Sequence, residues 1–454
     1  MITRISIFVV TLLATVPLWS QSDQVPATPA PDTASADIVT SSDDPRMLTP
    51  PALTGATYPT APTSEERSNF LRAGITFNSA YDDNVLGGIS THKTGDVDYS
   101  VWPTITLDQT TTRLHSLLTY APGFTFYQRI TGRDETDQNA SMDFQYRLSP
   151  HVTASFRDSF QKSSNVFNQP DVLSAGVVNG SSQIPTAAVI APVADRLTNT
   201  GTADLTYQFS RSDMFGGGGT FSNLHYPNSS EVPGLVDSNS RGGSAFYSRR
   251  IAKKHYVGVV YQYSRIAASP VGPEFDTQTH AGLLFYTVYL KPNLSLSFAG
   301  GPQHYEAAQA SSFDSRSWSP TATASLGWQA RRTSFAVGYS RTVTAGGGLI
   351  GAFNSNAANA SARWQMKRTW SIGSAASYAI YKNVMPLLTF GTPGGHSISG
   401  SVSLQHSIGE HLNAEAGYTR LHQSFGGIAV ISGEPDTNRE FISISYQFNR
   451  PLGR

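Results

Sequence analysis

The connections between the predicted strands alternate in length along almost the whole sequence, and this alternation most restricts the fold. From residue 70 onward, about eighteen runs alternate apolar and polar residues, a period typical of β-strands. Every second connection is tight and polar, as in residues 148–151 and 408–411, whereas the intervening ones are long and rich in Gly, Asn, Ser or Pro. A transmembrane β-barrel has this pattern, because its turns are short on one side of the membrane and its loops long on the other. The fold class predicted is therefore all-β, a single antiparallel barrel of about eighteen strands.

The two faces of the predicted strands agree with a barrel whose outer wall meets lipid. In residues 396–408, Ile398, Val402 and Leu404 share one face, and the opposite face is mostly serine. Charged residues make up only 14% of the chain and the formal net charge is zero, so nothing indicates a nucleic-acid partner. There is no cysteine, which excludes disulfides, thiol catalysis and thiolate metal sites.

The N-terminal region divides into two predicted segments ahead of the barrel. Residues 1–20 place Arg4 before a short apolar run, the layout of a secretory signal peptide, with an uncleaved anchor as the alternative. Residues 21–66 are rich in Pro, Ala and Thr and predict a disordered periplasmic linker, which acts as a spacer or contacts a partner. Residues 67–454 are assigned to the barrel. Export without a helical span leaves a soluble exported protein or a β-barrel, and the strand pattern favours a barrel in the bacterial outer membrane.

A short Tyr-x-Arg repeat closes three strands that each begin at a tight turn, so the repeats are expected at one rim, the outer one. The residues are Tyr263, Arg265, Tyr339, Arg341, Tyr418 and Arg420. One hypothesis is an interface girdle in which tyrosines line the lipid boundary and arginines reach lipopolysaccharide phosphates. The other is that arginine only marks the end of the apolar band.

The last and first strands carry resemblances to known outer-membrane proteins. The final strand alternates Ile442, Ile444, Tyr446 and Phe448, and it resembles the C-terminal β-signal that the barrel assembly machinery recognises, although six residues follow Phe448. Residues 75–86, ITFNSAYDDNVL, are similar to the opening strand of the β-barrel porin 2 group, in which a Tyr-Asp-x-Asn stretch follows the strand. That resemblance implies an outer-membrane barrel, and it implies an association of some members with exopolysaccharide export.

The same stretch raises a metal question, because Asp82, Asp83 and Asn84 offer clustered oxygen ligands. Calcium prefers such ligands, but the spacing of a calcium loop is missing. An Asx turn that ends the strand is the favoured interpretation. No metal site and no cofactor are therefore predicted.

Strand parity identifies charged residues expected to face the lumen. They are Asp143, Arg147, Arg157, Asp204, Arg363 and Glu415. One hypothesis is a field across the pore, with arginines on one side and carboxylates on the other. The alternative, favoured for Asp143, Arg147 and Arg157, is local pairing between adjacent strands. Because the signs balance, no ion selectivity is predicted.

The longest connection, residues 163–198, is the third outer loop and carries little charge, so we expect it to avoid open water. By resemblance to general porins, in which the third loop folds into the lumen, the same is expected here. The alternative is an apolar cap on the rim or on a partner chain.

The function predicted is a porin-like channel for passive diffusion of small hydrophilic solutes, with lipid and lipopolysaccharide around it. The alternatives are a barrel for exopolysaccharide export, disfavoured because few inward aromatics beyond Trp102 and Tyr127 are expected, and a plugged structural or adhesion barrel. No hydrolase elbow or metal-binding helix motif supports an enzyme. Many porins are trimers, and a homotrimer stays among the open assembly states.

Overall fold

The strands of the described part of the chain are antiparallel and form one sheet. The computed structural model describes residues 69–86, 93–130, 132, 134–163, 195–227, 235–269, 275–291, 293–309, 313–345, 352–384, 394–425 and 436–451. Its eighteen strands are β1 (Asn69–Asp82), β2 (Asp96–Thr110), β3 (Leu114–Tyr127), β4 (Glu135–Arg147), β5 (Val152–Ser163), β6 (Arg196–Gln208), β7 (Asp213–His225), β8 (Asp237–Ala252), β9 (His255–Ser269), β10 (Phe275–Lys291), β11 (Leu294–Gln309), β12 (Phe313–Gln329), β13 (Thr333–Ala345), β14 (Ala352–Gln365), β15 (Trp370–Asn383), β16 (Gly394–Ile408), β17 (Leu412–Phe425) and β18 (Asp436–Pro451). Within these residues no helix is long and apolar enough to cross a membrane.

The sheet closes on itself, which confirms the predicted eighteen-stranded barrel. Each strand pairs with its neighbours in the sequence, and β1 also pairs with β18 along its length, from Phe70 opposite Pro451 to Asp82 opposite Arg439. Closure leaves no free edge along β1 or β18, so their backbone groups are satisfied between strands. Because the strand number is even, the start of β1 and the end of β18 both lie on the side of the short turns.

The two faces of the wall differ in chemistry as the period-2 pattern predicts. Large apolar side chains on one parity are exposed, for example Phe77, Leu284, Val402 and Ile442. The opposite parity faces inward. On β16 it is mainly Ser, and hydroxyl groups of the inner face hydrogen-bond between strands. Examples are Ser377 Oγ with Ser399 Oγ at 2.7 Å and, on another part of the wall, Thr287 Oγ1 with Ser297 Oγ at 2.8 Å. The barrel therefore has an apolar outside and a largely polar inside.

The local sequence accounts for two details of the wall. Residues 216–219, four consecutive glycines, lie inside β7 as predicted. A Cβ at Gly218 would overlap the Asp204 carboxylate, and one at Gly216 would overlap the Phe246 ring, so side chains from neighbouring strands lie directly over this bare backbone. In the turn before β17, Gly409 adopts a φ of 71°, a left-handed conformation that favours glycine.

Some predicted segments lie outside the described residues. The signal peptide and linker, residues 1–66, are among them, and so are residues 164–194 of the third outer loop. The predicted burial of that loop in the lumen accordingly stays a prediction.

One seam of the wall is paired over only part of its length. The β12–β13 ladder runs from Gln329 opposite Ser334 to Ala322 opposite Arg341 and stops there. Beyond that point β12 remains paired with β11, and β13 remains paired with β14. The two strands therefore separate on the side of the long loops.

Candidate functional site: the inner face of the barrel

The six charged residues predicted for the lumen all lie on the inward parity of their strands. Their flanking outward residues, such as Phe144 and Trp364, are exposed apolar side chains. Four of the six lie on three consecutive strands, with Asp143 and Arg147 on β4, Arg157 on β5 and Asp204 on β6. Arg363 lies on β14 and Glu415 on β17, with β15 and β16 between them. Along the closed sheet, β17 is five strands from β4, and β14 is eight strands from β6.

One pair of opposite charges, on adjacent strands, is in direct contact. Asp143 lies opposite Arg157 in the ladder, and its carboxylate accepts a hydrogen bond of 2.9 Å from Arg157 Nε. Asp204 interacts electrostatically with the same arginine, and Glu415 interacts with Arg363. Arg147 lies opposite Thr153, near the short-turn end. The contact between Asp143 and Arg157 matches the favoured alternative of local pairing, and the field across the pore stays a prediction.

A buried ion cluster at the β18–β1–β2 seam was missed by the sequence reasoning. Arg439 is almost fully buried, and its guanidinium lies 2.9 Å from the Asp98 carboxylate and 3.8 Å from that of Asp82. The three side chains share the inward parity of adjacent strands near the long-loop end. The sequence could have predicted this cluster, because pairing the last strand with the first places Arg439 opposite Asp82.

The Asp82–Asn84 stretch forms the predicted Asx turn. The Asn84 backbone N–H donates to Asp82 Oδ1 at 2.9 Å. Asp83 accepts two hydrogen bonds of 2.7 Å from Asn438, one from its backbone N–H and one from its side-chain amide. The carboxylates thus face different protein partners, and together they fasten the end of β1 to the start of β18.

The Tyr-x-Arg repeats lie on the outward face near the long-loop end. Arg265 hydrogen-bonds Asp276 and Arg420 lies 3.3 Å from Asp436, each pair joining neighbouring strands. Two tyrosines also bond to a neighbouring strand: Tyr418 donates to Asn438 at 2.6 Å, and Tyr339 donates to Asn356 at 3.3 Å. The third, Tyr263, packs against His280 with ring centroids 5.0 Å apart.

Arg341 breaks the repeat. It is the last β13 residue paired with β12, and its carbonyl accepts a hydrogen bond from Thr321 Oγ1. Two of the three arginines therefore have a carboxylate beside them, and the third stands where two strands separate.

The expectation of few inward aromatics was wrong. Trp102 and Tyr127 do face inward and are buried, and the Trp102 ring lies over Gly123. Further aromatic residues share the inward parity, among them Phe246, Tyr256, Phe275, Phe285, Tyr289, Phe353, Tyr381, Phe425 and Phe441. Several were overlooked because β9 and β10 are apolar on both faces, which hides their parity.

The inward apolar residues pack among themselves. Phe285 and Leu283 form a buried cluster with Val260, and Phe246 packs against it. Tyr381 contacts Phe425 with centroids 5.9 Å apart, and both rings are buried. A ring that is covered in this way offers no open face for stacking on a sugar. The buried members of this set, such as Phe285, Tyr381 and Phe425, are therefore packing residues rather than platforms.

Comparison with solved structures finds only weak similarities. OccK2 (OpdF) of Pseudomonas aeruginosa has a TM-score of 0.41 and 11% identity over 84% of this chain and 98% of that one. OccAB4 of Acinetobacter baumannii has a TM-score of 0.40 and 10% identity over 85% of this chain and 100% of that one. The unliganded ferric citrate transporter FecA has a TM-score of 0.40 and 9% identity over 85% of this chain and 80% of that one. No protein-family model and no curated protein matches the sequence. Function therefore has to come from the geometry of this chain.

Proposed function

We propose that the protein is an outer-membrane channel through which small hydrophilic solutes diffuse passively. The observation that carries this proposal is the closed barrel with an apolar outer wall and an inner face rich in Ser, Thr and Gln. Such an inner face hydrogen-bonds water and uncharged solutes without holding them by charge. No residue of the channel has to react, so an enzyme is not proposed.

The outward face supports the membrane assignment. Lipid would cover the exposed apolar band, with Tyr263, Tyr339 and Tyr418 at the outer boundary. Because Asp276 and Asp436 already pair with Arg265 and Arg420, lipopolysaccharide phosphate would have to compete for these two arginines. Recognition by the barrel assembly machinery would use the last strand, whose Tyr446 and Phe448 are exposed on the outward face.

A plugged, structural or adhesion barrel is the second candidate, because side chains at the long-loop end of the inner face are closely packed. Phe353, Leu421, Gln423 and Phe425 are almost fully buried there. Exopolysaccharide export gains no support from the buried rings. Conductance separates the first two candidates.

The refolded barrel in a planar bilayer is expected to give steady openings whose current is proportional to voltage, because a polar lumen admits hydrated ions. The measurement is unitary conductance in KCl, with uptake of neutral sugars by proteoliposomes as a second readout. Insertion is checked by the heat-dependent gel mobility of the same sample. A barrel that inserts and stays silent in both assays would refute the channel and favour the plugged form.

Replacing the inward arginine of the β4–β5 pair is expected to change ion preference without unfolding the barrel. Arg157→Gln leaves Asp143 and Asp204 unneutralised, so the reversal potential in a KCl gradient should move toward cation selectivity. The pair is partly exposed, so the loss of unfolding free energy should stay below about 1 kcal/mol. Arg265→Gln, which removes a similar pair on the outward face, should leave the reversal potential unchanged. Equal shifts of the reversal potential in Arg157→Gln and Arg265→Gln would show that Arg157 does not line the pore.

A further inference from the structure

The separation of β12 from β13 has a cause in the sequence. Pro320 stands two residues beyond Ala322, the last β12 residue in the ladder. Proline has no backbone N–H to donate to a neighbouring strand, and it is confined to edges and irregular positions of sheets. A β12–β13 ladder that continued in the same register would place Pro320 opposite Val343, so the ladder stops just before this position.

The part of β13 that is not paired with β12, and the part of β14 paired with it, lie on the inner side of the wall. The Val343 backbone N–H donates to Gln303 Oε1 at 3.3 Å, and Asn354 Nδ2 donates to Ser319 Oγ at 3.0 Å. Gln303 on β11 and Ser319 on β12 both have inward parity. β13 also comes into contact with β9, although β10, β11 and β12 stand between them in the sheet. Along the wall, four strand spacings would separate those strands by about 19 Å.

The pattern of exposure agrees with an inward fold. Val343 shares the parity of Tyr339, yet Val343 is 4% exposed and Tyr339 is 40% exposed. A residue of outward parity is buried here because the inner wall of β9 to β11 lies where lipid would otherwise be. On the outer face, Trp318 of β12 is 68% exposed, and it lies in the part of β12 that is not paired with β13.

We propose that residues 342–345 and 352–355, the tongue, form the constriction of the channel, an inference that rests on the proposed function. The tongue overlaps the inner wall at the long-loop end and so takes up width from the lumen. Its sequence, TVTA and AFNS, contains no charged residue, and its anchors Gln303 and Ser319 are uncharged as well. A constriction of this kind selects solutes by size, so compact neutral solutes pass in preference to large ones, with little discrimination by charge.

The position of the tongue can be tested without any current measurement, because the chain has no cysteine of its own. Gln303→Cys with Val343→Cys should be joined by a short bifunctional thiol reagent in the folded barrel. The control pair Thr287→Cys with Ser297→Cys, whose native hydroxyls lie 2.8 Å apart on adjacent strands, should also be joined. Linking of the control pair alone would show that the tongue does not lie on β11 and would overturn the proposal.

The constriction itself is tested by adding bulk at one point. Thr344→Cys, on the inward parity of the tongue, is labelled with a bulky methanethiosulfonate reagent, and Ser401→Cys, inward-facing on β16, is labelled as the control. Labelling at residue 344 should lower unitary conductance by about half or more, and labelling at residue 401 should lower it far less. Equal effects at the two sites, or no effect at 344, would overturn the proposal. A wild-type barrel that conducts nothing would instead refute the channel function, while the cross-linking result would still report where the tongue lies.

Discussion

Arg439→Met is expected to destabilise the barrel by about 3–5 kcal/mol, because it leaves the carboxylates of Asp98 and Asp82 without their buried cation. Methionine fills much of the same volume, so the loss reports charge rather than a cavity. Urea unfolding in lipid vesicles, followed by tryptophan fluorescence, measures the effect. The loss should appear as a lower urea midpoint with an unchanged slope.

Two further variants identify the cause of that loss. Asp98→Asn in the Arg439→Met background removes one uncompensated charge and should restore part of the lost stability. Arg265→Met breaks an exposed pair with Asp276 and should cost less than about 1 kcal/mol. A loss for Arg439→Met as small as that for Arg265→Met would mean that water reaches the cluster in the folded barrel, and would contradict the burial of Arg439, Asp98 and Asp82.

An arginine on the outward face should cost far more than one on the inward face at the same height. Val402→Arg places a guanidinium on the apolar wall near the middle of β16, where the expected loss is about 2–4 kcal/mol. Ser401→Arg, one residue away and inward-facing, should cost little if water fills the lumen, because its charge stays hydrated. Both variants are compared by the same urea assay.

Two outcomes would contradict the expected difference between Val402→Arg and Ser401→Arg. Equal mild losses would mean that Val402 does not face lipid. Equal large losses would mean that the lumen at this height is dry, which would favour a plugged barrel over a channel. The pair therefore tests the membrane assignment and the state of the lumen together.

Strand number and facing could be predicted because both depend on local pattern. Residues such as Ile398, Val402 and Ser401 alternate so regularly that a shift of one position would turn the whole strand inside out. The inward positions of Asp143 and Arg157 follow from the same parity, and their pairing follows because a tight turn makes β4 and β5 neighbours.

Contacts between parts distant in sequence could not be predicted in this way. Arg439 meets Asp98 only because the barrel closes, and the position of one relative to the other depends on the register of the closing seam. The inward fold of β13 depends on the inner wall of β9 to β11, and Pro320 within a predicted strand was its only local sign. The inward aromatics of β10 were hidden because Leu283 and Leu284 point to opposite faces and are equally apolar.

The seam between β1 and β18 is expected to form after the hairpins between neighbouring strands. Its bonds join residues far apart in the chain, 355 positions apart for Asp83 with Asn438 and 341 apart for Asp98 with Arg439. Contacts with such large separations form late, because bringing the two ends together costs loop entropy that local hairpins do not. Until that moment the Arg439 guanidinium and its carboxylates stay hydrated, and the edges of the two terminal strands are unpaired. Burial of the ion cluster therefore reports that β1 and β18 have paired and the barrel has closed.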